Sequence, residues 1–146
     1  MVEGVWIAQN GDLTAPLRLR EAIFGRGRDA LDDEAQHLLV FQQGEPVAVA
    51  RLWLRPDAFW ADGIGVLPAA RGLGYGDLLV RMLLFKALSH GARAVALIAP
   101  DSCAGFFERY GFQREANQNA RDAAGVIMRV RAEDIALSHC GGCAGG

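Results

Sequence analysis

The residues most suited to chemistry in this chain lie between Val66 and Leu84, V-L-P-A-A-R-G-L-G-Y-G-D-L-L-V-R-M-L-L. Gly72, Gly74 and Gly76 leave the backbone bare, so its N–H groups can turn toward an anion. A strongly apolar helix begins at once, and the positive end of its dipole faces the same point. Arg71 adds a fixed positive charge whose geometry suits phosphate oxygens. Several charge-assisted hydrogen bonds, at roughly 1.5–3 kcal/mol each, would hold a diphosphate without a metal. The loop lacks the Lys-Ser or Lys-Thr of a Walker A sequence. Its R-x-x-G-x-G spacing is not the dinucleotide fingerprint either, and no acidic residue ends a following strand at the required distance.

Such a loop must sit between a strand and a helix, and the rest of the chain supplies them. Of the 146 residues, 51% are apolar and the formal net charge is −2, which fits one ordinary globular domain and argues against a broad nucleic-acid surface. No apolar run is long enough to span a bilayer, and the N-terminus lacks the basic start and long apolar core of a signal peptide. The expected setting is cytoplasmic, with the three cysteines reduced. The pattern predicts strands at Val5–Ala8, Leu38–Phe41, Val47–Leu54, Ala58–Val66 and Ala94–Ala99, with two more near Phe112–Glu115 and Gly125–Val130. It predicts helices over Thr14–Phe24, Gly74–His90 and Ser102–Tyr110, and a turn or short helix over Leu31–Gln36. The fold class is therefore α/β, a mixed sheet with helices packed on it. Residues 1–134 form the domain, and residues 135–146 a Cys/Gly-rich tail.

Two motifs resemble a known family. Arg71-x-x-Gly74-x-Gly76 is similar to the coenzyme A pyrophosphate loop of the GNAT acetyltransferases, Q/R-x-x-G-x-G/A, and Val66-x-Pro68 fits the end of that family's fourth strand. Ala104 to Phe112, A-G-F-F-E-R-Y-G-F, resembles the family's A-x-x-F-Y-E-K-x-G-F at a matching distance. The resemblance covers about Val5 to Val130. It implies a sheet whose fourth and fifth strands splay apart, with the pantetheine arm in the gap. It also implies acetyl-CoA as co-substrate, held by Arg71, Gly72, Leu73, Gly74, Tyr75, Gly76 and Asp77 in the loop, Ile64 and Val66 on the strand, and Ser102 and Phe107 beyond it. Gly63 and Gly65 fit a bulge or close backbone approach in that strand, or simply close helix packing. Leu31 to Val40 resembles a stretch of the ElaA-like bacterial subgroup, although that subgroup's V-E-Q after the first helix is absent.

An amine acceptor needs to lose a proton: with a pKa near 10, only about one molecule in a thousand is neutral at pH 7.4. Strand alternation would place Trp60, Asp62, Ile64 and Val66 on one face, with Asp62 their only charge. In several family members the position matching Asp62 takes the amine proton, and partial burial beside Trp60 would raise its pKa toward a useful range; otherwise Asp62 faces solvent at a frayed strand. The family's tyrosine that protonates the leaving thiolate is replaced by Phe107. Tyr110, three residues on, could serve, or could be a packed aromatic at the helix end. Cys103 could be acidified by the helix start or be a buried filler. A thiol of pKa near 8.5 can also leave unaided.

Asp32 and Asp33, with Glu34, could attract a cationic amine, Trp60 could line its site and His37 could assist; the alternatives are a solvated acidic turn and a structural histidine. The expected acceptor is a small-molecule amine. The tail carries His139, Cys140 and Cys143, three soft ligands where a closed zinc site needs four, so two copies together could complete a set and a homodimer stays open. No metal is expected in the domain. Two other readings remain: a domain that holds acyl-coenzyme A without turnover, with Phe107 in place of the acid, and a metal- or thiol-regulated protein using the tail.

Overall fold

A computed structural model of the chain describes residues 1–8, 10–115, 121–122 and 125–137. The order is β1 (Val2–Trp6), α1 (Thr14–Phe24), β2 (Gln36–Gln42), β3 (Glu45–Leu54), β4 (Phe59–Val66), α2 (Tyr75–Ser89), β5 (Ala94–Ala99), α3 (Ala104–Glu108), β6 (Gln113–Arg114), β7 (Arg121–Asp122) and β8 (Gly125–Arg131), with short 3-10 turns at Ala30–Asp33, Pro68–Ala70, Asp101–Cys103 and Ala132–Asp134. The expected α/β class holds. One mixed sheet runs β1-β2-β3-β4-β5-β8-β6, and β7 also pairs with β8. Among the described residues, β4 and β5 are the one parallel pair.

Local chemistry sets these elements. β5, A-V-A-L-I-A, lies between β4 and β8 and is a continuous apolar run, as a strand covered on both faces must be. α2 buries Leu79, Val80, Leu83, Leu84 and Ala87 against the sheet, and Gly91 takes the left-handed conformation (φ 78°) just past its end. Thr14 is the first residue of α1 rather than its cap; Asp12 accepts from its backbone N–H at 2.9 Å and its hydroxyl at 2.6 Å. The expected helix over Ser102–Tyr110 is shorter, a 3-10 turn followed by five α-helical residues.

The expected alternation along β4 fails, and the reason matters for the site. Arg51 of β3 faces Asp62, but Val49 faces Gly65, so Gly63 and Ile64 stand opposite Ala50 alone. This is a β-bulge, and Gly63 occupies it at φ +59°, a conformation that costs a residue with a side chain. The extra residue reverses the facing of everything after it. Phe59 and Ala61 share the α2-side core with Ile64 and Val66, whereas Trp60 belongs to a separate cluster with Ala58, Ala94 and Ala96. Gly65 turns toward α1, where a Cβ would meet the Phe24 ring at 2.8 Å and Ile23 at 2.9 Å. Trp60 and Asp62 therefore do not share a face with Ile64 and Val66, as simple alternation had placed them.

The bulge also parts the sheet. β4 pairs with β5 only from Phe59 to Ala61, against Val95 to Leu97. Beyond that, β5 stays with β8 as far as Ala99 while β4 diverges. Replacing Gly63 by Val should destabilise the domain by about 1–3 kcal/mol through the left-handed backbone it would have to adopt. Urea denaturation measures this; an unchanged midpoint would mean the bulge is not a constraint of the fold.

Candidate active site

The divergence of β4 and β5 opens a cleft of about 820 Å³. Ile64, Gly65 and Val66 line one side, Ile98, Ala99 and Pro100 the other, and Arg71, Gly72, Gly74, Tyr75 and Gly76 one end. Gly72 and Gly74 have φ of +81° and +88°, the left-handed values that their lack of a side chain permits. A Cβ on Gly72 would meet nothing within 4 Å, so glycine is required there by backbone conformation rather than by space. α2 starts at Tyr75, and its first intrahelical bond runs from Leu78 N–H to Gly74 C=O at 3.1 Å. The N–H groups of Tyr75, Gly76 and Asp77 therefore lack intrahelical acceptors, and the positive end of the helix lies at the cleft. Arg71 spans the collar: its Nε donates to the Val66 carbonyl at 3.1 Å and ties loop to strand. A diphosphate suits this donor set, and an extended arm bearing amides suits the edge of β4 left without a strand partner.

The walls are apolar. Ala70, Leu79, Phe106 and Phe107 line the interior, and Phe106 lies 3.5 Å from where a Gly76 Cβ would be. Ser102 and the free thiol of Cys103 lie at the α3 end. Ile23, Phe24 and Arg26, from α1 and the turn after it, line another side. Among the expected cofactor residues, Ile64, Val66, Arg71, Gly72, Gly74, Tyr75, Gly76, Ser102 and Phe107 all line the cleft. Two do not. Leu73 is 58% exposed and points away. Asp77 bonds through its carboxylate to the Tyr110 hydroxyl and to Arg81 Nε at 2.9 Å.

The expected catalytic pair is corrected as well. Tyr110 is fully buried, packs edge-on against Phe106 and donates its hydroxyl to Asp77. Burial and the adjacent Asp77 carboxylate push its phenol well above the usual tyrosine value. It fastens the end of α3 to α2 and is no proton donor to the cleft. Asp62 is 4% exposed, and both its oxygens are taken by Arg51, from Nε at 2.6 Å and Nη2 at 3.1 Å. A carboxylate engaged in this way is buried in an ion pair, and it does not line the cleft.

Asp62 is one member of a buried ionic cluster. Arg51 also donates to Asp29 at 2.6 and 2.9 Å and to Asp32 at 3.0 Å. Arg20 of α1 holds Asp32 at 2.6 and 2.8 Å and reaches the Gly27 carbonyl at 3.2 Å. His37 is buried, with Nε2 3.1 Å from the Asp32 carbonyl oxygen. Burial alone would raise the Asp32 carboxyl, but the bonds from Arg20 and the Asp29 amide outweigh it and hold the group well below the carboxylate range. Asp32 is thus neutralised by arginines rather than displayed to a substrate. Asp33 is exposed and paired with Arg28. Trp60 donates to Asp57 at 3.2 Å, lies under the Arg129 guanidinium and does not line the cleft. None of Asp32, Asp33, His37 and Trp60 forms an acceptor wall at the β4–β5 opening. Among the described residues, no Asp, Glu or His lines that cleft.

Several lining residues had no place in the sequence reading as site residues, among them Phe24, Arg26 and Phe106. Arg26 lay in G-R-G-R-D, which reads only as a helix breaker. His139, Cys140 and Cys143 lie outside the described residues. Residues 135–137 are half-buried; Ala136 N–H donates to the Tyr110 carbonyl at 2.9 Å, and Arg81 donates to the Leu137 carbonyl at 2.8 Å.

Residues 6–112 match the acetyltransferase (GNAT) family model. A Bacillus subtilis (strain 168) protein named as a candidate acetyltransferase is 25% identical over 142 residues, covering 90% of this chain and 97% of its own. The fold is shared with solved structures. Escherichia coli ElaA has a TM-score of 0.76 at 23% identity, covering 90% of this chain and 100% of its own. A Pseudomonas aeruginosa acyl-CoA N-acyltransferase has a TM-score of 0.78 at 23% identity, covering 89% and 99%.

The buried cluster gives two testable consequences. Arg51→Leu would leave three carboxylates short of their partner and should cost about 3–5 kcal/mol in urea unfolding; a loss below about 1 kcal/mol would show the cluster to be incidental. Burial pushes the His37 imidazole below its usual value, against the opposing pull of Asp32. The unfolded chain then binds the extra proton, so this contribution is complete above the unfolded value near 6.5 and is lost as pH falls toward the folded value. The carboxylates Asp29 and Asp32 act in the same direction, below about pH 4. The melting temperature should fall as pH drops below about 6.5, and His37→Gln should flatten that fall. An identical slope in the variant would contradict the assignment.

Proposed function

As the chain belongs to the acetyltransferase (GNAT) family and is an acyl-CoA-dependent N-acyltransferase, we propose that its acyl donor is acetyl-CoA and its acceptor the primary amine of a small molecule. The observation that carries this reading is the parting of β4 from β5 directly against the glycine-rich loop that leads into α2.

The thioester supplies an activated acyl group. This chain's residues then have separate tasks. The amides of the Gly72–Gly76 turn and the Arg71 guanidinium hold the diphosphate. The β4 edge from Ile64 to Val66 bonds the amides of the pantetheine arm, and a backbone N–H near Val66 polarises the acyl carbonyl. Leu79, Phe106 and Phe107 exclude water around the thioester. The amine nitrogen forms the new C–N bond, the C–S bond breaks, and coenzyme A leaves as its thiolate. Phe107 stands where an acid would, and a thiol of pKa near 8.5 departs without one.

The amine's proton goes to water, because no described carboxylate or imidazole lines the cleft. The fraction of acceptor already neutral therefore governs the rate. A cytoplasmic setting, in which Cys103 stays a free thiol, belongs to the same reading.

Acetyl-CoA should raise the melting temperature by mass action, and Arg71→Glu should abolish the rise while leaving the free protein folded. An unchanged rise in the variant would overturn the collar assignment. With acceptors of different basicity, kcat/KM should climb with pH up to each amine's own pKa. An inflection between about pH 5 and 8 common to all acceptors would instead reveal an enzyme-borne base. Binding without turnover of any amine would make this a domain that only holds acyl-CoA.

A further inference from the structure

The cleft is lined by the collar on one part and by α1 on another, and the two differ in character. Gly65 and Val66 are adjacent on β4 and face opposite sides of the sheet, Gly65 toward Phe24 and Ile23 of α1, Val66 toward the α2 core. Arg71 is tied to the Val66 carbonyl at the collar. Arg26 lies on the other side, its guanidinium 5.2 Å from the centre of the Phe24 ring. The two arginines are the charged side chains that line the cleft among the described residues, Arg71 at the collar and Arg26 beside α1.

With the collar end given to the diphosphate, the α1 side is left for the amine. It is unsuited to a polycation. No described carboxylate lines it, and those of the ionic cluster are committed elsewhere, Asp29 and Asp62 to Arg51 and Asp32 to Arg20 and Arg51. Its own charge is positive. The neighbouring cations Arg20 and Arg28 each hold an aspartate, but Arg26 is in no ion pair among the described residues. It is half-buried and lies against an aromatic face, with donors suited to a planar two-oxygen partner. Beside it, Ile23 and Phe24 line the cleft with apolar surface.

We infer that Arg26 is a specificity residue that binds a carboxylate on the acceptor, so that the acceptor is an amino acid with an apolar or aromatic side chain. The inference rests on the function proposed above: the acyl group arrives from the collar side, the carboxylate is held by Arg26 on the far side, and the amine lies between them at the β4–β5 opening. The missing carboxylates of the wall, a defect if the acceptor were a diamine, become a requirement when the acceptor brings its own.

The test uses the full chain and a thiol-release assay with matched pairs: phenylalanine against phenethylamine, and leucine against isoamylamine. The amino acid of each pair should have a kcat/KM at least about tenfold above its decarboxylated match. Arg26→Gln should remove that advantage, chiefly through the acceptor KM, and Arg26→Lys should restore part of it. The acetyl-CoA KM should stay within about twofold. Preference for the plain amines, a preference that survives in Arg26→Gln, or an effect confined to the acetyl-CoA KM would each overturn the inference. So would failure to acetylate either set while acetyl-CoA still raises the melting temperature. Loss of that rise in the unaltered protein would overturn the donor reading itself, which separates the two failures.

Discussion

The parting of β4 from β5 is the constraint on which the site depends. A parallel pair in the middle of a sheet would ordinarily bond along its whole length, with no room between the strands. Here one extra residue in β4 ends the pairing after Ala61. Glycine at position 63 permits the extra residue, and the ion pair between Arg51 and Asp62 clamps the strand immediately before it. The same step turns Ile64 and Val66 toward the α2 core and leaves Gly65 as bare backbone under Phe24. Cleft and collar meet because of this single irregularity.

The buried ionic cluster explains how so irregular a strand stays put. Arg51 joins β3 to β4 and to the turn before β2, and Arg20 joins α1 to that turn and to the loop that carries Arg26. Such clusters contribute little net stability, because removing charges from water is costly, yet breaking one member is expensive. Their value here is geometric: they fix two walls of the cleft at the same time. This also accounts for carboxylates that look catalytic in the sequence and are structural in the fold.

Much of the architecture was legible in the sequence because it follows from local pattern. The collar was readable from three alternate glycines between an apolar strand and an apolar helix, and β5 from an unbroken apolar run. What stayed hidden depended on partners distant in sequence or on backbone conformation. Asp62 looked available because Arg51, its cross-strand neighbour, lies eleven positions away. Asp32 looked like part of an acidic lure because Arg20 is twelve positions distant. The facing of Ile64 and Val66 followed from a left-handed glycine that hydrophobic periodicity does not record, although Gly63 in a strand was a signal that alternation need not continue. Arg26 was masked by flanking glycines that read as a helix breaker.

The most direct measurement is amide NMR of the isotope-labelled protein titrated with coenzyme A. The account predicts the largest shifts at the amides of Gly72, Gly74, Tyr75 and Gly76, together with Ile64 to Val66 on β4, and little change at His37 or Asp62. Shifts that bypass the collar, or that concentrate on the ionic cluster around Arg51, would contradict it.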